Sequence, residues 1–385
     1  MRSELWRKVD ILIVRTVPCG QDSRVSKFLF HYKKNNVSVG LVCISRSSKC
    51  SRKNNPDTPH FSINGLDFNS LPFPINRISL VWKFHRILLY LDYLYTCLKL
   101  RFLWRPRALH GCDLDGYLVS KLSFPFNRRR IFEVLDPWST MTSSKRIAAL
   151  ENRAFYDAKV LVMPAFDSRI KVSRPLATSF SNFMDLELSK ELLHEPTNDP
   201  KFVEYVDSLK PFILTGGIMG GDTRIAELIY AVSKQSKFNL VATCPEDFIK
   251  GNSFLAIPDN IFCIGKQDWG RWLYLLKNSE AVWIYYSTSN NHFASHISPN
   301  KYWEAVLFNK IMLVNQISQF SDRMELEGPF VEVGEAVIQN LSEVFQSLED
   351  DHTNQSDSLA RDSRFMVLQN ERTDTARQII KWVFN

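Results

Sequence analysis

The stretch Ser298-Pro299-Asn300-Lys301-Tyr302-Trp303-Glu304-Ala305-Val306-Leu307-Phe308-Asn309-Lys310-Ile311-Met312-Leu313-Val314-Asn315 holds three structural signals in a row. Proline at a helix's first position loses no N–H that the helix needs, so Pro299 marks a start with Ser298 as its cap. Asn309 is a fitting stop, because asparagine tolerates the left-handed conformation that ends helices. Ile311–Val314 is then a short apolar run of strand type. Lys301 and Glu304 stand three apart and share one helix face. A helix start with free N–H groups plus a lysine suits a diphosphate. A carboxylate one turn on suits two vicinal hydroxyls, such as those of a ribose. The same residues also fit an ordinary capped helix with an i,i+3 ion pair.

Helix followed by strand recurs on both sides of this stretch. Val9–Val14, a helix from Ser23 to Lys34, and Val37–Ile44 form a strand–helix–strand unit, which implies a parallel sheet. Arg107–His110, Arg129–Leu135 and Val160–Met163 add strands to it. A second series begins at Pro211, with strands at Phe212–Leu214, Phe238–Ala242, Ile261–Ile264, Ala281–Tyr285 and Phe330–Val333. The expected fold is therefore α/β, with two Rossmann-like parallel-sheet domains facing a cleft. Residues 1–188 make the first domain and 211–360 the second, with a charged, proline-bearing linker over 189–210 and a terminal helix over 361–385. Residues 60–78 read as irregular.

Ligands of such sheets sit outside the carboxyl ends of the strands. That places Gly20 through Arg24, His110, Asp113 and Asp136 at strand ends. Asp136 suits contact with an acceptor and equally suits capping its own loop, Arg24 equally suits the surface of its helix, and a histidine at a strand end such as His110 also suits a structural role. In the second half, Thr215-Gly216-Gly217-Ile218-Met219-Gly220-Gly221 holds four of the fourteen glycines between a strand and a helix. Such a loop lets backbone N–H groups approach phosphate, with Arg224 the nearby cation.

The 385 residues suffice for two domains, and 45% hydrophobic with 23% charged residues is a globular composition. Seven scattered cysteines without a Cys-x-x-Cys pair argue against a disulfide framework or structural zinc and for a reducing compartment. The start is charged and lacks a secretory apolar core, and no apolar run is long enough to span a bilayer. Charge is uneven: residues 1–134 carry 23 Lys+Arg against 9 Asp+Glu, a balance of +14, and the remainder carries −7. A basic half suits an anionic surface or substrate, and equally a solvated basic face. Within it, 79–104 reads as a long helix interleaving Lys83, Arg86, Lys99 and Arg101 with Trp82, Phe84, Tyr90, Tyr95 and Phe102. That pattern fits either a membrane interface or a helix packed on the sheet with a basic outer face.

Ser298–Ala305 and Lys310–Val314 together resemble the donor-binding segment of GT-B glycosyltransferases, closest to retaining family four. The resemblance implies Lys301 on the diphosphate, Glu304 on the donor ribose, and Ser298, Pro299 and Asn300 around them. Many members carry an earlier glutamate where this chain has His296. Asp22-x-Arg24-Val25 resembles the family's first loop, with Gly20 alone of the usual glycine pair. His110-Gly111-Cys112-Asp113-Leu114-Asp115 resembles its His-x-x-Asp-Leu-Asp motif, which implies His110 touching the donor sugar. Asn182-Phe183-Met184-Asp185 resembles the end of the family's first domain. Gly265-Lys266 matches the loop beside the nucleotide base, and the terminal helix would cross back onto the first domain.

The implied activity is transfer, with retention, of a sugar from a nucleotide-diphosphate sugar to a glycan or lipid-linked acceptor in surface polysaccharide synthesis; Asp136 acting as a base would instead suit inversion. Neither a metal nor another cofactor is expected, nor a nucleic-acid partner. The implied setting is cytoplasmic, with peripheral contact to the inner face of the cytoplasmic membrane. A non-catalytic binding protein of this fold and a nucleotide-sugar epimerase are the alternatives.

Overall fold

The computed structural model describes residues 8–18, 23–45, 60–64, 79–135, 137–141, 144–164, 176–180, 184–216, 223–244, 257–285, 300–315, 330–334, 341, 343–345 and 363–384. The chain divides into two compact units, Met1–Ser181 with Glu371–Asn385, and Asn182–Asn370.

In the first unit the described elements run β1 Ile11–Pro18, α1 Ser23–Lys34, β2 Val39–Ser45, β3 His60–Asn64, α2 Ser79–Trp104, β4 Ala108–Cys112, α3 Asp113–Ser123, β5 Arg130–Glu133, α4 Trp138–Met141, α5 Lys145–Asp157, β6 Val160–Pro164 and β7 Ala177–Phe180. The strands form one sheet in the order β3-β2-β1-β4-β5-β6-β7, every described pair parallel. Strand alternation splits β1 between two cores. Ile11 and Ile13 join Phe28, Leu29 and Tyr32 of α1 on one face. Leu12 and Val14 join Tyr93, Cys97, Leu100 and Trp104 of α2 on the other. Burial on both faces is why these strands read as unbroken apolar runs. Two edge strands differ from the reading above: 60–64 is a strand rather than irregular chain, and 177–180 forms β7. Neither has the long apolar run of a central strand.

In the second unit the elements are α6 Leu186–Thr197, α7 Pro200–Ser208, β8 Phe212–Thr215, α8 Ile225–Ser233, β9 Asn239–Ala242, β10 Ile261–Cys263, α9 Trp269–Asn278, β11 Ala281–Trp283, α10 Asn300–Leu307, β12 Ile311–Val314 and β13 Phe330–Glu332. Their parallel sheet has the order β10-β9-β8-β11-β12-β13. Asn309 has a φ of 51°, the left-handed stop read from the sequence. The stretch 189–210, expected as a linker, is instead largely helical and belongs to this unit. The reason is capping: Asp185 accepts from Glu187 N and Leu188 N, and Asp199 accepts from Phe202 N with Pro200 at the helix's first position. The unit boundary accordingly falls at 181/182 rather than 188. The last helix, α11 Ser363–Phe384, puts Ala376, Ile379 and Val383 into the core of the first sheet.

Candidate functional site

In each sheet the first strand of the unit lies inside, and the chain winds outward from it in both directions. The order therefore switches between β1 and β4 in one sheet and between β8 and β11 in the other. Helices leave the two strands on opposite sides there, which opens the carboxyl edge to ligands.

At the first switch, β4 passes into α3 without a loop. Two glycines permit it. A Cβ on Gly111 would lie 2.3 Å from the Tyr117 Cα, and one on Gly116 would lie 2.5 Å from the Val14 carbonyl oxygen. The turn forces Asp113 to a φ of 58°, a conformation that aspartate tolerates better than most residues. Asp113 forms an ion pair with Arg15 at the end of β1, and its Oδ1 accepts from Leu135 N at 3.0 Å. Asp115 accepts from the Thr16 hydroxyl and from Tyr90 OH at 3.2 Å. Burial pushes the Asp113 carboxyl up to about 6; Arg15 opposes the rise and Asp115 adds to it. Its side chain keeps 17% of its surface exposed, so Asp113 is a carboxyl that can exchange a proton near neutral pH.

His110 does not line this edge. Expected against a donor sugar, it is fully buried. The alternation of β4 turns it under α1, where Phe28 meets its ring edge-on at 4.8 Å. Its Nδ1 lies 3.0 Å from Tyr32 OH and its Nε2 3.1 Å from Glu133 Oε2. Cys112 Sγ donates to the same oxygen at 3.2 Å, and Arg24 Nε lies 2.6 Å from Glu133 Oε1. Burial alone would raise the Glu133 pKa, but Arg24, His110 and Cys112 outweigh it and hold the carboxyl down at about 2. His110, Cys112 and Glu133 bring three donor atoms within 4.8 Å of one another, the only such group of three among the described residues. The set includes zinc-type donors. Arg24 already pairs with its carboxylate and Tyr32 with its imidazole, so a metal ion would have to displace the guanidinium, and the set is a poor fit for a cation. Arg24, read as a residue at the strand ends, is thus a buried counter-ion. Glu133 and Tyr32 gave no signal in the sequence, since neither belongs to a motif.

At the second edge, β8 ends at Thr215 and Gly216 follows it. A Cβ on Gly216 would lie 2.2 Å from Thr243 Oγ1 and 2.5 Å from the Trp272 ring. Lys301 of α10 reaches this point, and its Nζ donates to the Gly216 carbonyl at 2.6 Å. Burial pushes the Lys301 ammonium down to about 8, against the opposing pull of Glu304. Glu304 itself is 2% exposed. One oxygen accepts from Trp269 Nε1 at 2.8 Å, the other from Trp272 Nε1 at 2.8 Å. The carboxylate expected to grip a ribose is therefore committed to two indoles of α9. Trp269 and Trp272 were missed as its partners; the signal was present, because two tryptophans three apart on a helix need acceptors when buried. Asn315, just after β12, is fully buried, and neither of its amide atoms finds a hydrogen-bond partner among the described residues.

The structure brings Gly216, Lys301 and Glu304 together, with Asn300 at the start of α10. Arg224, at a φ of 48°, stands at the N-cap position of α8 without a capping side-chain bond and pairs with Glu227 at 2.8 Å. Lys266 is exposed between β10 and α9. Gly20, Asp22, Asp136, Asn182, Phe183, Gly217, His296, Ser298 and Pro299 lie outside the described residues.

No protein-family model matches the chain, and a search of curated proteins finds no match either. Solved structures do match it over nearly its whole length. UDP-GlcNAc 2-epimerase from Neisseria meningitidis bound to UDP-GlcNAc shares 12% identity at a TM-score of 0.57, covering 97% of this chain and 99% of that one. Anabaena Alr3699/HepE in complex with UDP-glucose shares 11% at 0.59, covering 97% of both. The lipopolysaccharide outer core galactosyltransferase WaaB shares 13% at 0.53, covering 97% and 99%. At such identities the likeness establishes the fold: two Rossmann-like units of the GT-B type.

Proposed function

We propose that this protein is a glycosyltransferase that takes a sugar from a nucleotide-diphosphate sugar and gives it, with retention, to a glycan or lipid-linked acceptor. The proposed setting is surface polysaccharide synthesis at the inner face of the cytoplasmic membrane. The observation that carries the reading is the Lys301 ammonium, partly stripped of water and laid on the Gly216 carbonyl at the carboxyl edge of β8. A desolvated cation at a sheet edge and helix start favours a ligand that brings negative charge.

In this reading Lys301 and the backbone N–H groups at the start of α10 hold the diphosphate. As the bond from the anomeric carbon to the diphosphate oxygen breaks, charge grows on the leaving oxygen, and fixed donors stabilise it most at that moment. The acceptor oxygen bonds to the anomeric carbon and gives up its proton. The reacting carbon is oxocarbenium-like, so positioning supplies much of the acceleration. Glu304 acts through the indoles it anchors, of which Trp272 lies against Gly216, rather than by direct contact with the ribose. Asp113 is the described residue of the first unit best suited to take a proton.

A second reading is a nucleotide-sugar epimerase. Several proteins of similar fold are described as UDP-GlcNAc 2-epimerases, and a carboxyl poised near 6 at Asp113 suits proton removal from a sugar carbon. Incubation with a panel of nucleotide sugars, with and without polyprenyl-linked and free glycan acceptors, separates the two. Sugar found on an acceptor with release of free nucleotide diphosphate supports transfer. An epimerised nucleotide sugar in the absence of acceptor supports epimerisation. Neither product, with Lys301-dependent nucleotide binding retained, makes the protein a non-catalytic binder.

A further inference from the structure

Helix α2 shows solvent a face that its sequence does not predict for an ordinary surface helix. Tyr93, Cys97, Leu100 and Trp104 turn inward onto the sheet. On the outside, Ile87, Leu91, Tyr95, Leu98 and Phe102 are all exposed, Tyr95 and Phe102 by 66% each. At 3.6 residues per turn these fall within an arc of roughly 100° and run about 22 Å along the helix axis. A surface helix normally puts polar residues there. Lys99 is exposed on one flank of the stripe and Arg101 borders the other, its guanidinium 5.9 Å from the Phe102 ring centre.

The stripe continues beyond α2. Helices α2 and α3 both finish at the amino edge of the first sheet, and there Leu122 is 66% and Phe126 85% exposed. The Phe126 turn is pinned rather than loose. Asn127 Nδ2 donates to the Arg107 carbonyl at 3.1 Å, and Asn127 Oδ1 accepts from Arg129 N at 2.8 Å. Arg105, Arg107 and Arg128 are exposed around this end, and Asp92 is the exposed acid on α2.

We infer that this face, α2 together with the α3–β5 turn, docks on the surface of an anionic lipid bilayer. Aromatic and aliphatic side chains in a broad strip, edged by arginine and lysine, suit the boundary between headgroups and acyl chains. The cations then meet the negative surface of the leaflet. A second copy of the chain fits less well, because a two-fold contact would bring the same cation rim against itself. No helix among the described residues is long and apolar enough to cross a membrane, so the contact is peripheral. The strand edge carrying Asp113 lies at the opposite end of the sheet from Phe126 and stays uncovered. The inference deepens the membrane setting proposed above by naming the docking face, and its vesicle readout is independent of the sugar chemistry.

Sedimentation of the full chain with vesicles tests it, comparing phosphatidylcholine alone with phosphatidylcholine plus phosphatidylglycerol. Binding is expected to the anionic vesicles and to weaken as salt is raised. Phe102→Ser and Phe126→Ser should each cost about tenfold in partitioning, because each removes most of one aromatic's burial. Arg105→Gln and Arg128→Gln should each cost about fivefold on anionic vesicles and little on neutral ones. These side chains are largely exposed, so melting curves should not move and nucleotide titrations should match the parent. Three results would overturn the inference. One is no sedimentation of the parent chain with anionic vesicles at low salt. Another is unchanged binding by all four variants. The third is a dimer in light scattering that the two Phe→Ser changes dissociate, with no vesicle binding, which would assign the face to a second copy.

Discussion

Replacing Glu304 by alanine removes one acceptor from two buried indoles at once. Trp269 and Trp272 each donate to a separate oxygen of that carboxylate at 2.8 Å, and both rings are 9% exposed. A hydrogen bond to a charged group is worth about 1.5–3 kcal/mol net, and a buried donor left without a partner carries its desolvation cost in full. Two such bonds put the loss at about 3–6 kcal/mol, a large part of the 5–15 kcal/mol that roughly spans domain stabilities. For a unit of this size each kcal/mol moves the melting temperature by about 2–4 °C, so the Ala variant should melt ~10 °C lower. Glu304→Gln keeps one acceptor oxygen and sets an amide N–H₂ against the other indole, so about half the loss or more should remain. Thermal and urea unfolding, followed by tryptophan fluorescence and circular dichroism, read this directly. An Ala variant that melts within ~2 °C of the parent would refute the reasoning. If such a variant also lost nucleotide affinity, Glu304 would be a ligand-binding carboxylate after all.

Lys301→Gln should weaken binding of a nucleoside diphosphate by roughly 10–100-fold, on the scale of one charge-assisted contact, as read by calorimetric titration. The affinity of the parent protein should fall as pH rises through about 8, where the ammonium loses its proton, and the variant should lack that fall. The folded Asp113 pKa, about 6, lies above its unfolded value, so between pH 4 and 6 the folded chain holds more protons than the unfolded one. Stability should therefore decline across that window as pH rises, and Asp113→Asn should flatten the decline in urea midpoints taken across it. Gly116→Ala drives a Cβ to 2.5 Å from the Val14 carbonyl, a rigid backbone atom; a loss of about 2 kcal/mol or more is expected in the unfolding midpoint. Glu133→Ala leaves Arg24 as a buried charge without its carboxylate and should cost about 3–5 kcal/mol, measured in the same way.

Much of the fold was legible from local pattern. Ile311–Val314 was read as a strand and is β12 to the residue; Asn309 was read as a stop and adopts the conformation that stops helices. Central strands buried on both faces must be apolar throughout, so they declare themselves. The edge strands β3 and β7 did not. Helices α6 and α7 were hidden because charge and proline in 189–210 suggested a link, whereas Asp185, Asp199 and Pro200 were the capping signals that decided the outcome.

The candidate site was legible in position and not in partnership. Lys301 reaching the edge of β8 follows from a helix start placed before a parallel strand. That Glu304 would be claimed by two tryptophans more than thirty residues upstream, or His110 by Glu133 and Tyr32, depends on which elements pack side by side.

The sequence by itself determined the element types, the parallel sense of both sheets and the lysine at the start of α10, since these depend on periodicity and caps within a few residues. Only the tertiary structure decided which charges are free to meet a ligand and which are spent holding the protein together. A carboxylate's role depends on the donors that surround it in space, and those come from segments far apart along the chain.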